Sequence, residues 1–278
     1  MRWARSGAFA ATIFAVGILG AVSPILLRER RDAHRDSLLS LGSLFGAGVF
    51  LSAGFVHMLA DAAEDLDGGY PWAMLVCSAA LLALMLFENA VKPVGGSAAA
   101  RGSGEGEGEV YAGLGQADAG EKRASLSGDP CTTALMFGAL SFHSFLAGLS
   151  LGAEPEGLAV FVAIVAHKGF AAFALGTKFV QTRGAGQRQP VLSAGAVAFW
   201  MVLFSLVTPV GVLVGTALRR AGGSRATAYL TAAASGTFIY TALAEVALPE
   251  FTKPGDARTK ALFLVLGYAG MSALAVWV

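Results

Sequence analysis

The chain has 278 residues, of which 55% are hydrophobic and only 14% are charged, and its mean hydropathy is +0.62. A soluble domain carries about 25% charged residues, so this composition excludes an ordinary soluble protein. The formal net charge of +1 indicates no particular partner, and we expect no nucleic acid among the partners. A composition of this kind is typical of a protein embedded in the lipid bilayer.

Eight apolar stretches are long enough, or nearly so, to cross a membrane. A helical span needs about 20 predominantly apolar residues, and each stretch is bounded by charged or turn-forming residues. Because helices satisfy their own backbone hydrogen bonds in lipid, we predict an all-α, polytopic membrane protein with eight transmembrane helices. The stretches lie at about 7–27, 38–60, 70–87, 131–153, 157–181, 190–217, 226–248 and 261–278.

The first apolar stretch follows Arg2 and Arg5, an arrangement that also occurs in secretory signals. The stretch is about 21 residues long, which exceeds a usual signal core, and the charged run RERRDAHRD follows it. We therefore expect it to be retained as the first transmembrane helix.

Residues 91–130 interrupt the apolar pattern. Glycine, alanine, serine and acidic residues dominate this segment, which leaves almost nothing to bury. We predict a flexible cytosolic loop at 91–130 that divides helices 1–3, in residues 1–90, from helices 4–8, in residues 131–278. Whether this loop is only a tether or also a regulatory surface stays open.

Basic residues predict the orientation of the helices. Cytosolic loops carry an excess of Lys and Arg. Of the 20 Lys and Arg residues, Lys168 lies near the middle of a predicted span, five fall on one side of the membrane and fourteen, including Lys178 at the end of the fifth span, fall on the other. We place the fourteen-residue side, with the long loop, in the cytosol and both termini in the extracellular space or an organelle lumen. The five are Arg2, Arg5, Arg219, Arg220 and Arg225.

Few ionisable side chains fall inside the predicted spans. Each one costs of the order of 2.5–3.5 kcal/mol near the bilayer centre, so each is a candidate functional residue. A lone intramembrane histidine is often a satisfied core residue, but three histidines favour function. The in-span set is His57, His143, His167, Lys168 and Glu245, with Glu88 near the end of helix 3.

Two of these histidines are expected at the same depth. The segment AEPEG at 153–157 predicts a tight turn, so helices 4 and 5 run antiparallel, and His143 and His167 are each twelve residues from Pro155. At 1.5 Å per residue, each histidine lies about 18 Å from the turn. Two imidazoles facing each other across adjacent helices indicate a site for a divalent transition metal.

A further pair lies in helix 2, where His57 and Asp61 are four residues apart on one face. This pair fits either an outer access site for metal or a structural hydrogen bond. Two of the loops predicted to be outside, after helices 2 and 4, are acidic, which raises the local concentration of cations, although such loops also arise wherever basic residues are excluded. The acidic residues are Asp61, Glu64, Asp65, Asp67, Glu154 and Glu156.

Five segments occur in one order along nearly the whole chain. They are GVFLSAGFVHMLADA at 48–62, SFHSFLAGLSLG at 141–152, HKGFAAFALG at 167–176, LVTPVGVLVG at 206–215 and GTFIYTALAEVALPE at 236–250. With the long loop between helices 3 and 4, this set resembles the ZIP (Zrt/Irt-like) family of divalent-metal transporters. The similarity is greatest to eukaryotic plasma-membrane members.

The resemblance implies a metal site between helices 4 and 5 that fills from outside and empties to the cytosol. His143 and Ser144 match the helix 4 ligand pair of the family, and His167 matches the first helix 5 ligand. Glu245 matches a helix 7 glutamate of the cytosolic exit path. The helix 2 motif is matched by His57 and Asp61.

The chain departs from the family pattern at three positions. The helix 4 motif usually has a glutamate where this chain has Ala147, and the equivalent position on helix 5 is Ala171. Lys168 stands where some members place a carboxylate. A site of neutral ligands beside a lysine binds a dication weakly, which either suits release or indicates a loss of transport.

The leading hypothesis is transport of Zn²⁺, with Fe²⁺ next, into the cytosol by alternating access, without a permanently bound cofactor. The alternative is a transport-deficient metal sensor or dimer partner, motivated by Ala147. No HExxH zinc-hydrolase motif occurs in the sequence, and we expect no enzyme and no catalytic residues. The expected partners are the metal ion and the bilayer, most simply the plasma membrane, and a homodimer is left open.

Overall fold

The computed structural model describes residues 2–27, 33–91, 130–153, 158–182, 192–218 and 224–276. Within these ranges the secondary structure is helical, which confirms the all-α prediction. Most of the predicted loop at 91–130 and of the predicted turn at 153–157 lies outside the described residues. The helices are α1 (Arg2–Leu27), α2 (33–65), α3 (Trp72–Val91), α4 (Pro130–Ala153), α5 (Leu158–Gln181), α6 (Ala194–Leu218), α7 (224–252) and α8 (Ala257–Ala275).

The first seven of these helices each contain a segment that is long and apolar enough to cross a membrane. This agrees with a polytopic membrane protein. The eighth predicted span coincides with α8, but within the described ranges α8 is not among the segments of sufficient length and apolarity. The number of eight membrane crossings therefore stays a prediction.

The helices pack as two groups of four. Among α1, α4, α5 and α6, the most extensive contacts pair α4 with α6, α1 with α5 and α1 with α6, and these four helices form the first bundle. The second bundle contains α2, α3, α7 and α8, in which α2 packs on α8 and α3 on α7. The two bundles meet mainly where α2 contacts α5 and where α4 contacts α7.

Glycine allows the closest contact inside the first bundle. Gly148 and Gly152 of α4 lie against Gly211 and Gly215 of α6, so that a methyl group on any of them would run into the backbone of the facing helix. In each helix the two glycines are four residues apart, in a GxxxG pattern. Small residues at this spacing let helix backbones touch. The contact, which we call the glycine seam, fixes α4 relative to α6.

Glycine also makes room where the bundles meet. A methyl group on Gly42 of α2 would run into the ring of Phe173 on α5, and one on Gly46 would touch the Cβ and the carbonyl oxygen of Phe170. Phe170 also packs against Phe45 of α2, with ring centroids 4.9 Å apart. Gly42 and Gly46, which are also four residues apart, thus face an aromatic ring at one glycine and the Phe170 side-chain base and backbone at the other.

Two helices of the second bundle contain a π-helical turn. In α2 the turn is Ala53–Met58, and in α7 it is Thr241–Ala247. The backbone N–H of the next residue reaches five residues back in each, from Leu59 to Gly54 and from Leu248 to Leu243. In α7 Pro249 follows directly, and its missing N–H interrupts the α-helical hydrogen-bond pattern. π-helical turns are rare and concentrate at functional sites.

Candidate metal centre

Two histidines of the first bundle face each other where this bundle meets the second. The Nε2 atoms of His143 on α4 and His167 on α5 are 3.5 Å apart, and the ring centroids are 5.5 Å apart. Both side chains are buried. The structure thus brings together the two residues that sequence reasoning placed at one depth, and we call them the histidine pair.

The position of the pair within its helices explains why the rings meet. His143 lies ten residues before the end of α4 at Ala153, and His167 lies nine residues after the start of α5 at Leu158. At 1.5 Å per residue these offsets correspond to about 15 Å and about 14 Å along the two axes. The rings therefore sit at the same level, near the middle of each helix.

The spacing of the Nε2 atoms suits a metal ion. Zinc binds imidazole nitrogen at about 2.0–2.1 Å with tetrahedral angles, so two nitrogens on one zinc ion lie about 3.4 Å from each other. The observed 3.5 Å therefore needs almost no rearrangement. The Nδ1 atom of His143 has no hydrogen-bond partner among the described residues.

A phenylalanine of the second bundle covers the pair. The ring of Phe238 on α7 is fully buried, and its centroid is 3.7 Å from that of His143 and 5.8 Å from that of His167. On its other side Phe238 contacts Phe50 of α2, with centroids 5.0 Å apart. Phe238 therefore closes one side of the histidine pair with apolar surface.

A buried lysine holds Ser144, the third predicted ligand. The ammonium group of Lys168 donates to Ser144 Oγ at 3.0 Å and to the carbonyl oxygen of Phe204 at 3.3 Å. It also lies over the Phe204 ring, 3.8 Å from its centroid, in a cation–π contact. Ser144 thus accepts a hydrogen bond from a buried lysine, and its role as a metal ligand stays a prediction.

At position 147, where the family pattern has a glutamate, this chain has an alanine among apolar side chains. Ala147, one turn after His143, packs against a cluster of buried side chains from four helices. Ala171, the matching position on α5, is buried in the main hydrophobic core. The buried members of the cluster around Ala147 are Ile13, Leu151, Ile164 and Val212.

His57 and Asp61 form a separate pair. His57 Nδ1 lies 3.1 Å from Asp61 Oδ2, and the aspartate side chain is 57% exposed whereas the histidine side chain is 15% exposed. His57 belongs to the π-helical turn of α2. The pair therefore joins a largely buried ring to a carboxylate at the surface, and the structure does not place it in direct contact with His143 or His167.

Glu245 lies in the second π-helical turn, on α7, and pairs with a lysine. Its Oε2 atom is 3.5 Å from Nζ of Lys178 on α5, and both side chains are buried. Glu88 of α3 accepts a hydrogen bond from the Tyr240 hydroxyl, and it lines the same small cleft as Glu245. Two buried carboxylates therefore line one cleft.

Sequence reasoning missed Phe238 and the partner of Glu245. Phe238 is an ordinary apolar residue of a predicted span, and Lys178 was assigned to the basic residues of one side. The described residues contain no group of three or more His, Cys, Asp and Glu side chains placed to hold one metal ion. Among the described residues, His143 and His167 thus form a pair of imidazoles without a third such side chain beside them.

These features define a polytopic helical membrane protein with a two-imidazole centre between packed helices. The sequence profile of the ZIP zinc transporter family matches residues 7–275, which is nearly the whole chain. The chain belongs to the ZIP family, which confirms the resemblance seen in the sequence.

Curated zinc transporters align with this chain over most of their own length. The human zinc transporter ZIP2 is 28% identical over 280 aligned residues, covering 89% of this chain and 88% of the relative. Zinc transporter ZIP1 of Takifugu rubripes is 28% identical, with coverage of 87% and 86%. Human zinc transporter ZIP3 is 27% identical, with coverage of 94% of each chain. All three relatives carry the name of zinc transporters.

Proposed function

We propose that this protein carries zinc across a membrane into the cytosol, and that His143 and His167 bind the ion midway. The observation that carries the proposal is the 3.5 Å separation of two buried Nε2 atoms. Intramembrane ionisable residues mark ion pathways, and neutral imidazole suits zinc more than it suits hard cations such as Mg²⁺ and Ca²⁺. Fe²⁺ is the next candidate ion.

The transport step is alternating access between the two bundles. The histidine pair belongs to the first bundle, while Phe238, which covers it, belongs to the second. A displacement of one bundle against the other would uncover the imidazoles and leave the glycine seam intact. Downhill flux of this kind needs no nucleotide.

Two further metal-binding positions outside the histidine pair complete the proposed path. His57 and Asp61 form the outer access site, since a carboxylate at the surface attracts cations. Glu245 receives the ion on the cytosolic side. The excess of basic residues supports this orientation, with both termini outside and the segment 91–130 in the cytosol, and we place the protein in the plasma membrane.

The test is uptake of radioactive zinc by cells that lack their own zinc importers. Wild type is expected to give saturable uptake, and His143→Ala and His167→Ala are each expected to lower it by at least about tenfold, because one imidazole leaves a much weaker site. His34→Ala, the remaining histidine outside the proposed path, is the matched control. Saturable uptake that persists in both site variants would refute the assignment.

Metal choice follows from competition in the same assay, and the direction of transport follows from a second assay. Competition by Fe²⁺, Mn²⁺ and Cd²⁺ ranks the ions, and preloaded proteoliposomes of known orientation measure the direction. Zinc uptake that is insensitive to excess Fe²⁺ would remove iron from the proposal.

A further inference from the structure

One ion pair joins the two bundles at a distance from the histidine pair. Lys178 belongs to α5 in the first bundle, and Glu245 belongs to α7 in the second. The distance from Nζ to Oε2 is 3.5 Å, and the side chains are only 8% and 6% exposed. Both charges are therefore withdrawn from solvent at the bundle boundary.

The pair lies on the same boundary as the proposed metal site. Glu245 follows Phe238 by seven residues on α7, and Lys178 follows His167 by eleven residues on α5. At 1.5 Å per residue the offsets are about 10 Å and about 16 Å. Both run towards the ends of α5 and α7, so an ion that leaves the imidazoles in that direction meets Glu245 next.

Other lysines at this end are held by other groups. Lys253 Nζ donates to Glu250 Oε1 at 2.5 Å and to Gln181 Oε1 at 3.3 Å. Lys260 Nζ donates to the carbonyl oxygens of Glu250 and Lys253. Among these three lysines, Lys178 is the one in contact with Glu245.

The geometry makes Lys178 a replaceable partner. A buried ionised carboxylate without a compensating charge is strongly destabilising, so ionised Glu245 needs a nearby cation whether or not metal is present. At 3.5 Å the contact is longer than the 2.7–2.9 Å of a good charge-assisted hydrogen bond. A zinc ion binds carboxylate oxygen at about 2.0–2.2 Å with twice the charge, so it would compete effectively for the same oxygen.

We infer that Lys178 is an exchangeable internal cation for Glu245. It neutralises the carboxylate while no metal is bound there, moves away when the ion arrives, and displaces the ion by returning. The inference rests on the proposed function, because an ion must reach Glu245. The exchange also opens and closes a contact between the bundles, which couples passage of the ion to their relative movement.

The direct test is zinc binding to purified full-length protein in which His143→Ala and His167→Ala remove the histidine pair. Adding Lys178→Met is expected to tighten zinc binding at least about tenfold, since a competing positive charge is lost, and adding Glu245→Gln should abolish that gain. Lys253→Met is the matched control, because it removes a lysine charge at the same end that does not touch Glu245. Titration calorimetry with ZnCl₂ measures all four proteins.

Uptake in cells gives the second measurement. Lys178→Met should lower both Vmax and KM, because zinc leaves Glu245 slowly. The double variant Lys178→Met with Glu245→Gln should transport poorly, because the carboxylate that binds the ion has been removed. Full recovery of uptake in this double variant would show a merely structural ion pair and overturn the inference, as would unchanged zinc affinity in folded Lys178→Met protein.

Lys178→Arg keeps the inference testable if Lys178→Met does not fold. A guanidinium binds a carboxylate in a bidentate manner and more firmly than an ammonium group, so this variant should weaken zinc binding at Glu245. Unchanged zinc binding in Lys178→Arg would contradict exchange. Failure of transport itself is distinguishable: wild type would then show no uptake, while the Glu245-dependent gain of zinc binding in Lys178→Met would still appear.

Discussion

The ring of Phe238 lies on the imidazole of His143, with the two centroids 3.7 Å apart. The contact crosses the boundary between the bundles, because α7 carries the phenylalanine and α4 the histidine. A residue of one bundle thus covers the proposed metal site of the other. Access to the imidazoles from this side requires that the two rings separate.

Phe238→Ala should open the histidine pair to water and ions. We expect KM for zinc to fall several-fold, and the folded state to lose about 3–5 kcal/mol because a large buried ring is removed. Phe50→Ala is the matched control: its ring contacts Phe238 but is not in ring contact with the histidines. It should lose similar stability without the change in KM, and a shared change in KM would show that the effect is only packing.

Lys168→Met should strengthen zinc binding by the histidine pair. The lysine places a positive charge on Ser144, next to His143, and a like charge opposes a dication. We expect KM to fall at least about tenfold, measured by uptake in intact cells. Lys260→Met, which removes another buried lysine far from α4, should leave KM unchanged. A higher KM in Lys168→Met would mean that the lysine organises the site through Ser144.

Ala147→Glu should tighten zinc binding and reduce stability. The carboxylate would lie one turn from His143 but among apolar side chains, where an unpaired charge is costly. Ala147→Gln, which has the same size without the charge, should lose stability without gaining affinity. Titration calorimetry and thermal unfolding separate the two effects. A different result would support the alternative function. If wild type binds zinc without transporting it, and only Ala147→Glu gives uptake, the protein is the transport-deficient sensor or dimer partner.

Gly148→Ala should force α4 away from α6. Its new methyl group would meet the backbone of Thr208 and Val212, and overpacking of this kind costs about 1–3 kcal/mol. Gly138→Ala in the same helix is the control, because nothing lies within 4 Å of its new methyl group. Thermal unfolding in detergent should show a loss for the first variant and no loss for the second. Equal melting temperatures would mean that the seam does not limit stability.

Asp256 should make the start of α8 sensitive to acid. Its carboxylate accepts hydrogen bonds from the Thr259 hydroxyl and from the backbone N–H groups of Thr259 and Arg258, and these bonds lower its pKa below the ordinary value. A lowered pKa in the folded state adds stability above the unfolded-state pKa, and this stability is lost as the pH falls through the folded-state pKa.

The melting temperature of wild type should therefore exceed that of Asp256→Asn at pH 7. The difference should shrink as the pH falls from about 5 to about 2, since the aspartate becomes protonated over this range. Asp256→Asn keeps an acceptor oxygen and removes only the charge. A difference that is the same at both ends of the pH range would contradict this role of the charge.

Much of the fold follows from the sequence because the bilayer fixes the length of a span. The start of α4 at Pro130 and the ends of α1, α4 and α5 lie within a few residues of the predicted bounds. The prediction stopped α2 at residue 60, whereas the helix continues to Asp65. Charged residues end an apolar stretch, but they do not end a helix, since a helix continues equally well into water.

The histidine pair was predictable and its surroundings were not. Counting residues from a turn gives depth, so His143 and His167 could be matched from sequence alone. The contact of Phe238 with His143 joins residues 95 positions apart, and the π-helical turns depend on how α2 and α7 pack. Such tertiary contacts leave no periodic signal in the sequence. The side chains that surround the candidate site could therefore not be predicted.

The glycine seam also decides where movement of this protein can be measured. Since α4 and α6 touch through their backbones, a shift of His143 is a shift of the whole outer surface of α6, including Val210, which is 49% exposed. Leu262 on α8 is 54% exposed and belongs to the other bundle. Spin labels on these two residues would read the displacement at the buried imidazoles from positions that no zinc ligand occupies.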